Sequence, residues 1–231
     1  MRYRLYRFSS RVWSQLVLWA FGYRIRIHHR ERLNRDAKIY LFPHRSAQDV
    51  LVDNIAGSSA FIAKGYISTN PIVSASVRAS RSLAIRPGRS LTKELYSRYH
   101  SETVWPPMTI YPEGTTSSHS CMLRLRTGAF RTGVKLQPIV CVYNNSFDYI
   151  EWLQKGIFGT LCDCCRNNFL GTVDITYLDA VERAEGETER AFADRVGKLM
   201  ADAAGASYTP YTSADTEFFY GKAKTMERCS E

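Results

Sequence analysis

Short apolar runs and amphipathic stretches alternate along most of the chain. Residues 37–42 are almost wholly apolar, as in a strand buried on both faces, and residues 47–56 then read as a short helix closed by Gly57. Residues 60–64 form a second apolar strand. Asn70-Pro71 opens a helix to about Ala79 that carries Ile72, Val73, Ala75 and Val77 on its apolar side. A strand over 82–86 stops at Pro87-Gly88, Ser90 caps a helix over 91–102, and Pro106-Pro107 precedes a strand over 108–111. The pattern continues with a helical turn at 128–133, a strand over 134–143 interrupted by Pro138, a helix over 147–167 and a strand over 171–178. A strongly amphipathic helix follows over 187–204, with Phe192, Val196, Met200 and Ala203 on one face. This alternation predicts an α/β fold: a mainly parallel mixed sheet covered by helices on both faces. Sites in such sheets form where strands end and helices begin.

The N-terminal end breaks the pattern. Nine arginines lie within residues 1–36 against only Glu31 and Asp36, a surplus of seven in a chain whose net charge is +9. Between them lies the apolar, aromatic segment 12–23, twelve residues long where a membrane span needs about 20. Arginine flanks around a Trp- and Tyr-rich centre describe a segment lying in a membrane interface over residues 1–30, with anionic lipid as its partner. An amphipathic helix packed on the domain is the structural alternative. No small-residue cleavage site marks a signal peptide, and no nucleic-acid motif accompanies the charge. The 231 residues, 45% hydrophobic, suit one globular domain with an appendage and not a disordered chain. Residues 1–30 are read as the membrane-associating segment, 31–215 as the folded domain and 216–231 as a polar tail. Nothing in the sequence sets an oligomeric state. The six cysteines fit a reducing compartment. Cys162-Asp-Cys-Cys165 is too cramped, and too far from any histidine, to predict a metal site.

The candidate chemistry starts at Pro43-His44-Arg45-Ser46-Ala47-Gln48-Asp49. Residues five apart in a continuous helix lie about 140° apart around it, so His44 and Asp49 meet only if His44 sits on the turn before the helix. Asp49 would then hold one ring nitrogen and leave the other free to take a proton. Ser46 as N-cap with Asp49 in the first turn is an equally good capping box. A second candidate is the turn 112–118, where Glu113-Gly114-Thr115 follows a strand and Gly114 permits close backbone approach. Arg86, at a strand end, offers a fork suited to phosphate. Each feature alone also has a structural explanation.

Together, and in this order, they resemble the glycerolipid acyltransferase family, of the lysophosphatidic acid and lysophospholipid acyltransferase type. The matching blocks are 43–49, Phe61-Ile-Ala-Lys64 with Leu83-Ala-Ile-Arg86, Tyr111-Pro-Glu-Gly-Thr-Thr116, and residues 136–143 with Pro138. Arg126-Thr-Gly-Ala-Phe130 and residues 196–215 are similar to the lysophosphatidylcholine and lysophosphatidylethanolamine branch. Pro43 replaces the commoner Asn, Arg126 stands where Lys is commoner, and no calcium-binding extension is present.

The resemblance implies an acyl-CoA-dependent acyltransferase that acts on the free hydroxyl of a lysophospholipid without an acyl-enzyme. His44 would be the base and Asp49 its support. Arg86, Glu113, Gly114 and Thr115 would bind the acceptor, and Lys64 would assist with phosphate or CoA. No cofactor or metal is implied; acyl-CoA is a co-substrate. Location at a membrane, on its cytoplasmic face or at the endoplasmic reticulum, is likewise what the resemblance implies. Two rival readings stand beside it: lysophosphatidic acid as acceptor, and a non-catalytic lipid-binding or membrane-scaffolding protein that keeps His44 and Asp49 for packing and capping.

Overall fold

The computed structural model describes residues 2–46, 48–57, 60–64, 71–85, 88, 90–144 and 171–215. Helix α1 (Arg2–Ala20) leads into strand β1 (Arg24–His28). Strand β2 (Ile39–Leu41) precedes α2 (Asp49–Ala56). Then come β3 (Ile62–Lys64), α3 (Pro71–Ala79), β4 (Leu83–Ile85), α4 (Leu91–Tyr99) and β5 (Met108–Ile110). The last described elements are β6 (Cys121–Met122), β7 (Leu136–Asn144), β8 (Thr172–Tyr177), α5 (Glu189–Ala204) and β9 (Ser207–Tyr208).

The main sheet has the order β1-β8-β7-β2-β5. Strands β7, β2 and β5 run parallel, β8 runs antiparallel to β7, and β1 follows β8 in parallel. Phe61 bridges Thr109 in parallel and so sets the parallel β3–β4 pair beside β5. The expected α/β architecture is therefore present, with helices on both faces.

Central β2 shows why its sequence lacks polar alternation. Ile39 and Leu41 enter one core, with Leu95, Met108, Leu136, Phe192 and Val196. Tyr40 and Phe42 enter the other, with Leu18, Val52, Ile55, Ile139 and Tyr177. A strand covered on both faces must be apolar at every position. Helix α5 closes one side. Its N-cap Thr188 accepts from the Ala191 amide, and its C-cap Gly205, at φ +65°, donates to the Ala201 and Asp202 carbonyls.

Helices α1 and α2 cover the other face. Ser14 and Leu18 of α1 are fully buried, Asn54 of α2 donates to the Ser14 hydroxyl at 3.1 Å, and Tyr6 bonds Ser76 at 2.8 Å. Leu5, Phe8, Val12, Leu16 and Trp19 recur every three or four residues, form one stripe, and are exposed. One side of α1 packs on the domain while the opposite side presents apolar side chains to the surroundings. No described helix is long and apolar enough to cross a membrane.

Several elements depart from the sequence expectations. Residues 24–28, assigned to the basic segment, form edge strand β1; Ile25 and Ile27 point inward while Arg24, Arg26 and His28 stay exposed. Helix α4 ends at Tyr99, short of the expected residue 102, whereas residues 128–133 carry the expected turn, with the Arg131 amide donating to the Thr127 carbonyl at 3.2 Å. Short β6 and β9 pair with each other in parallel. The helix expected over 147–167, with its cysteine cluster, and the tail 216–231 lie outside the described residues.

Candidate active site

His44 follows β2 and Asp49 begins α2, so the chain turns between them as the spacing required. His44 Nδ1 lies 2.7 Å from Asp49 Oδ2. The same oxygen accepts the backbone amides of Arg45 at 2.6 Å and Ser46 at 2.8 Å. Asp49 Oδ1 accepts the Tyr143 hydroxyl at 2.6 Å. In this fully buried side chain Oδ2 thus accepts two amides and Oδ1 a phenol. With both oxygens acting as acceptors, Nδ1 is the donor to Oδ2, and in the neutral imidazole Nε2 keeps its lone pair. The His44 side chain remains about one quarter exposed.

The competing roles of this segment prove compatible. Asp49 ties back the amides before α2 and also holds the imidazole. Ser46 is not the helix cap: Gln48 occupies that position without a side-chain cap bond, while the Ser46 hydroxyl accepts from the Gln48 amide at 3.2 Å. The Tyr111 ring stacks on the His44 ring, with centroids 4.5 Å apart and planes 27° apart. Its buried hydroxyl has no hydrogen-bond partner among the described residues, and burial pushes its pKa well up. Burial likewise keeps the Tyr143 phenol protonated, as a donor to Asp49 must be.

Glu113 is at the other end of the site, after β5. It is fully buried. Arg45 Nη1 donates to both its oxygens at 3.0 and 3.1 Å, and Ser117 and the Leu123 amide also donate to it. Arg45 further bonds Ser117, and the Ser117 amide donates to the His44 carbonyl at 2.9 Å. The Glu113 carboxylate is thus engaged by the chain itself, and it ties the turn carrying His44 to the turn 112–118.

Gly114 sits at φ +75° at the tip of that turn. A Cβ there would meet Arg126 Nε at 2.4 Å and Cζ at 2.7 Å, so the Arg126 side chain lies directly across the glycine. Two bonds to the Ser213 hydroxyl hold the guanidinium there. Thr115 is half-buried beside Gly114. Lys64 ends β3, and Arg86 lies outside the described residues. Behind the site Asp53, also fully buried, accepts the Thr109 hydroxyl at 2.5 Å. Burial pushes its pKa well up, opposed by the Thr109 bond and reinforced by Asp49. No cluster of His, Cys, Asp or Glu suited to a metal ion occurs among the described residues.

The structure therefore brings together His44, Asp49, Glu113, Gly114 and Thr115. It adds Arg45, Tyr111 and Tyr143, which the sequence does not single out, and it turns Ser117, one of the hydrogen-bonding hydroxyls of the 112–118 turn, onto Glu113. Arg45 had one faint signal, a long cation inside an otherwise buried turn. Tyr143 had none, because 94 residues separate it from Asp49.

Residues 24–142 match the family model described as Acyltransferase. Lysophosphatidylcholine acyltransferase 1 of Rattus norvegicus is 30% identical over 217 residues, covering 87% of this chain and 40% of that protein. Lysophosphatidylcholine acyltransferase 2 of Rattus norvegicus is 26% identical over 213 residues, covering 87% and 39%. The chain thus spans about 40% of the length of these curated relatives. Among solved structures, the 1-acyl-sn-glycerophosphate (LPA) acyltransferase PlsC of Thermotoga maritima superposes with a TM-score of 0.66 at 18% identity, covering 86% of this chain and 78% of that one. That likeness is one of fold.

Proposed function

The chain belongs to the acyltransferase family, and on that premise we propose that it moves a fatty acyl group from acyl-CoA to the free hydroxyl of a lysophospholipid. The observation that carries this reading is the His44–Asp49 pair, whose carboxyl is held by three further donors while Nε2 is left available. The acceptor hydroxyl gives its proton to His44 Nε2 as its oxygen attacks the thioester carbonyl. The carbon–sulfur bond breaks, the CoA thiolate takes the proton from the imidazolium, and the ester and free CoA leave. Asp49 orients the ring and stabilises its charged form. Such a base contributes about 10²–10⁴-fold; placement of both substrates supplies much of the rest.

Glu113 acts here by positioning. The acceptor phosphate falls to cations: Arg86 and Lys64, as the family resemblance implies, and exposed Arg126, which pairs with no carboxylate among the described residues. Lysophosphatidylcholine is the proposed acceptor, because the relatives matched over 87% of this chain carry that activity in their names. The outward stripe of α1 is proposed to lie in the membrane interface, with Trp19 (73% exposed) and Phe8 (67%) immersed.

The test is transfer of labelled acyl groups from acyl-CoA to a panel of lysophospholipids. Transfer that His44→Ala abolishes while the fold survives supports the mechanism, and equal turnover in that variant removes His44 as base. A preference for lysophosphatidic acid would reassign the acceptor. Membrane contact is tested by sedimentation with anionic vesicles at low salt: Phe8→Ser/Trp19→Ser should weaken partitioning by about 10²-fold, from ~1.5 kcal/mol per immersed aromatic.

A further inference from the structure

A cavity of about 480 Å³ opens far from His44. Val77, Arg78, Arg81, Ala84 and Trp105 line it, and no residue of the turns 43–49 or 112–118 does. Arg81 lies before β4 and Trp105 before β5, whereas His44 and Glu113 follow the far ends of β2 and β5. These strands run parallel, so the cavity and the candidate active site occupy opposite ends of the sheet.

Among the described residues, no carboxylate pairs with the arginines in and beside it. Arg98 is 9% exposed. Its guanidinium lies over Trp105 at 4.3 Å and Tyr99 at 5.7 Å, Nη2 donates to the Arg81 carbonyl at 2.6 Å, and Nε has no partner among the described residues. Arg81 lies over the same Trp105 ring at 5.8 Å and over Tyr3 at 5.9 Å. Arg78 bonds Ser74 at 2.6 Å. None of the three arginines forms an ion pair with a carboxylate among the described residues, although their other contacts are accounted for. Burying a cation without an anion is costly, and here a second guanidinium adds repulsion. Burial lowers the Arg98 pKa, and nearby Arg81 lowers it further.

A ligand that fits has two properties set by the lining. It is anionic, to meet Arg78 and Arg81 beside the Arg98–Trp105 stack. It also has an apolar portion, because Val77, Ala84 and the Trp105 ring form the walls. A bare phosphate satisfies the first property only. The cavity adjoins the first turn of α1, through Tyr3 against Arg81, and α1 carries the exposed apolar stripe.

We propose that this cavity binds an anionic phospholipid, with its phosphate on Arg78 and Arg81 and its glycerol and first acyl carbons on Val77, Ala84 and Trp105. It is a second lipid site, separate from the acceptor site. The inference draws on the membrane-facing reading of α1 and is independent of acyl transfer.

Dihexanoyl phosphatidylglycerol, below its micelle concentration, probes the site in the full chain. It carries the charge and short chains yet has no free hydroxyl on its acylated glycerol. Equilibrium dialysis of the labelled lipid should show saturable binding that falls about tenfold or more in Arg78→Gln/Arg81→Gln and in Trp105→Leu. Both arginines are at the surface, and circular dichroism verifies the fold. Dihexanoyl phosphatidylcholine and glycerol 3-phosphate should each bind at least about tenfold more weakly. Equal binding by the double variant, or equal binding of the choline lipid, overturns the site. Glycerol 3-phosphate binding as tightly as the lipid makes it a soluble-anion site and overturns the lipid assignment. Acyl transfer on monomeric substrates should be unchanged in Arg78→Gln/Arg81→Gln. Phosphatidylglycerol binding by a chain that transfers no acyl group strikes only the proposed function.

Discussion

Tyr143 and Asp49 meet through a 2.6 Å hydrogen bond across 94 residues of sequence. The phenol occupies the carboxylate oxygen that His44 does not use, so β7 helps to fix a group at the start of α2. Tyr143→Phe keeps the ring and removes the donor, which leaves a buried carboxylate oxygen unsatisfied. A bond to a charged group is worth about 1.5–3 kcal/mol. The expected result is a fall in kcat of about tenfold or more with KM for either substrate little changed. Steady-state kinetics on both substrates measure the split; a rise in KM alone would place Tyr143 in substrate binding.

Glu113→Gln should act through folding. It leaves Arg45 buried against a neutral amide that cannot accept the same donors. Breaking a buried pair by removing one partner costs about 3–5 kcal/mol. Denaturant unfolding should show that loss, with transfer falling alongside it. A variant of native stability, defective only in acceptor KM, would show that Glu113 contacts substrate.

Gly114→Ala tests the turn itself. The backbone at φ +75° disfavours a side chain, and the new Cβ would collide with Arg126. Activity should fall sharply, with about 1–2 kcal/mol lost from stability. Combining it with Arg126→Ala removes the collision but not the backbone strain, so thermal stability should recover in part. No recovery would mean that Arg126 does not lie across the glycine in solution.

Asp53 predicts a pH effect. Its folded pKa is well above the ordinary value of 3.8, chiefly through burial. The native state therefore holds this proton more tightly than the unfolded chain does. The stabilisation is complete below the unfolded value and is lost as pH rises through the folded one. Asp53→Asn retains an acceptor for Thr109 and removes the titration. Its melting temperature should exceed that of the wild type by a few degrees at neutral pH, at roughly 2–4 °C per kcal/mol, with the gap closing towards pH 4. A constant gap between pH 4 and 8 would count against a raised pKa.

These relationships mark the limit of what the sequence discloses. The β2 run, the turn holding His44 and Asp49, and the turn 112–118 are local patterns, set by period, length and turn chemistry. Arg45 with Glu113 and Tyr143 with Asp49 are pairings between distant segments, and only the parallel sheet makes them neighbours. Residues 24–28 are hidden for another reason: Arg24-Ile-Arg-Ile-His28 alternates as a half-buried edge strand does, within a stretch whose charge is the stronger signal. Helix α1 has the packed face that the amphipathic-helix alternative expects, but Ser14 gives no hint from composition that it belongs to that face and is fully buried.

Strand β2 is bonded on both edges and covered on both faces, which has a consequence in time. Breathing motions begin at edges and ends and reach such a strand last. The imidazole beyond Phe42 is therefore tethered to the slowest-opening part of the molecule. Warming should fray the periphery long before it disturbs the base, and heat inactivation originating at this histidine should coincide with global collapse.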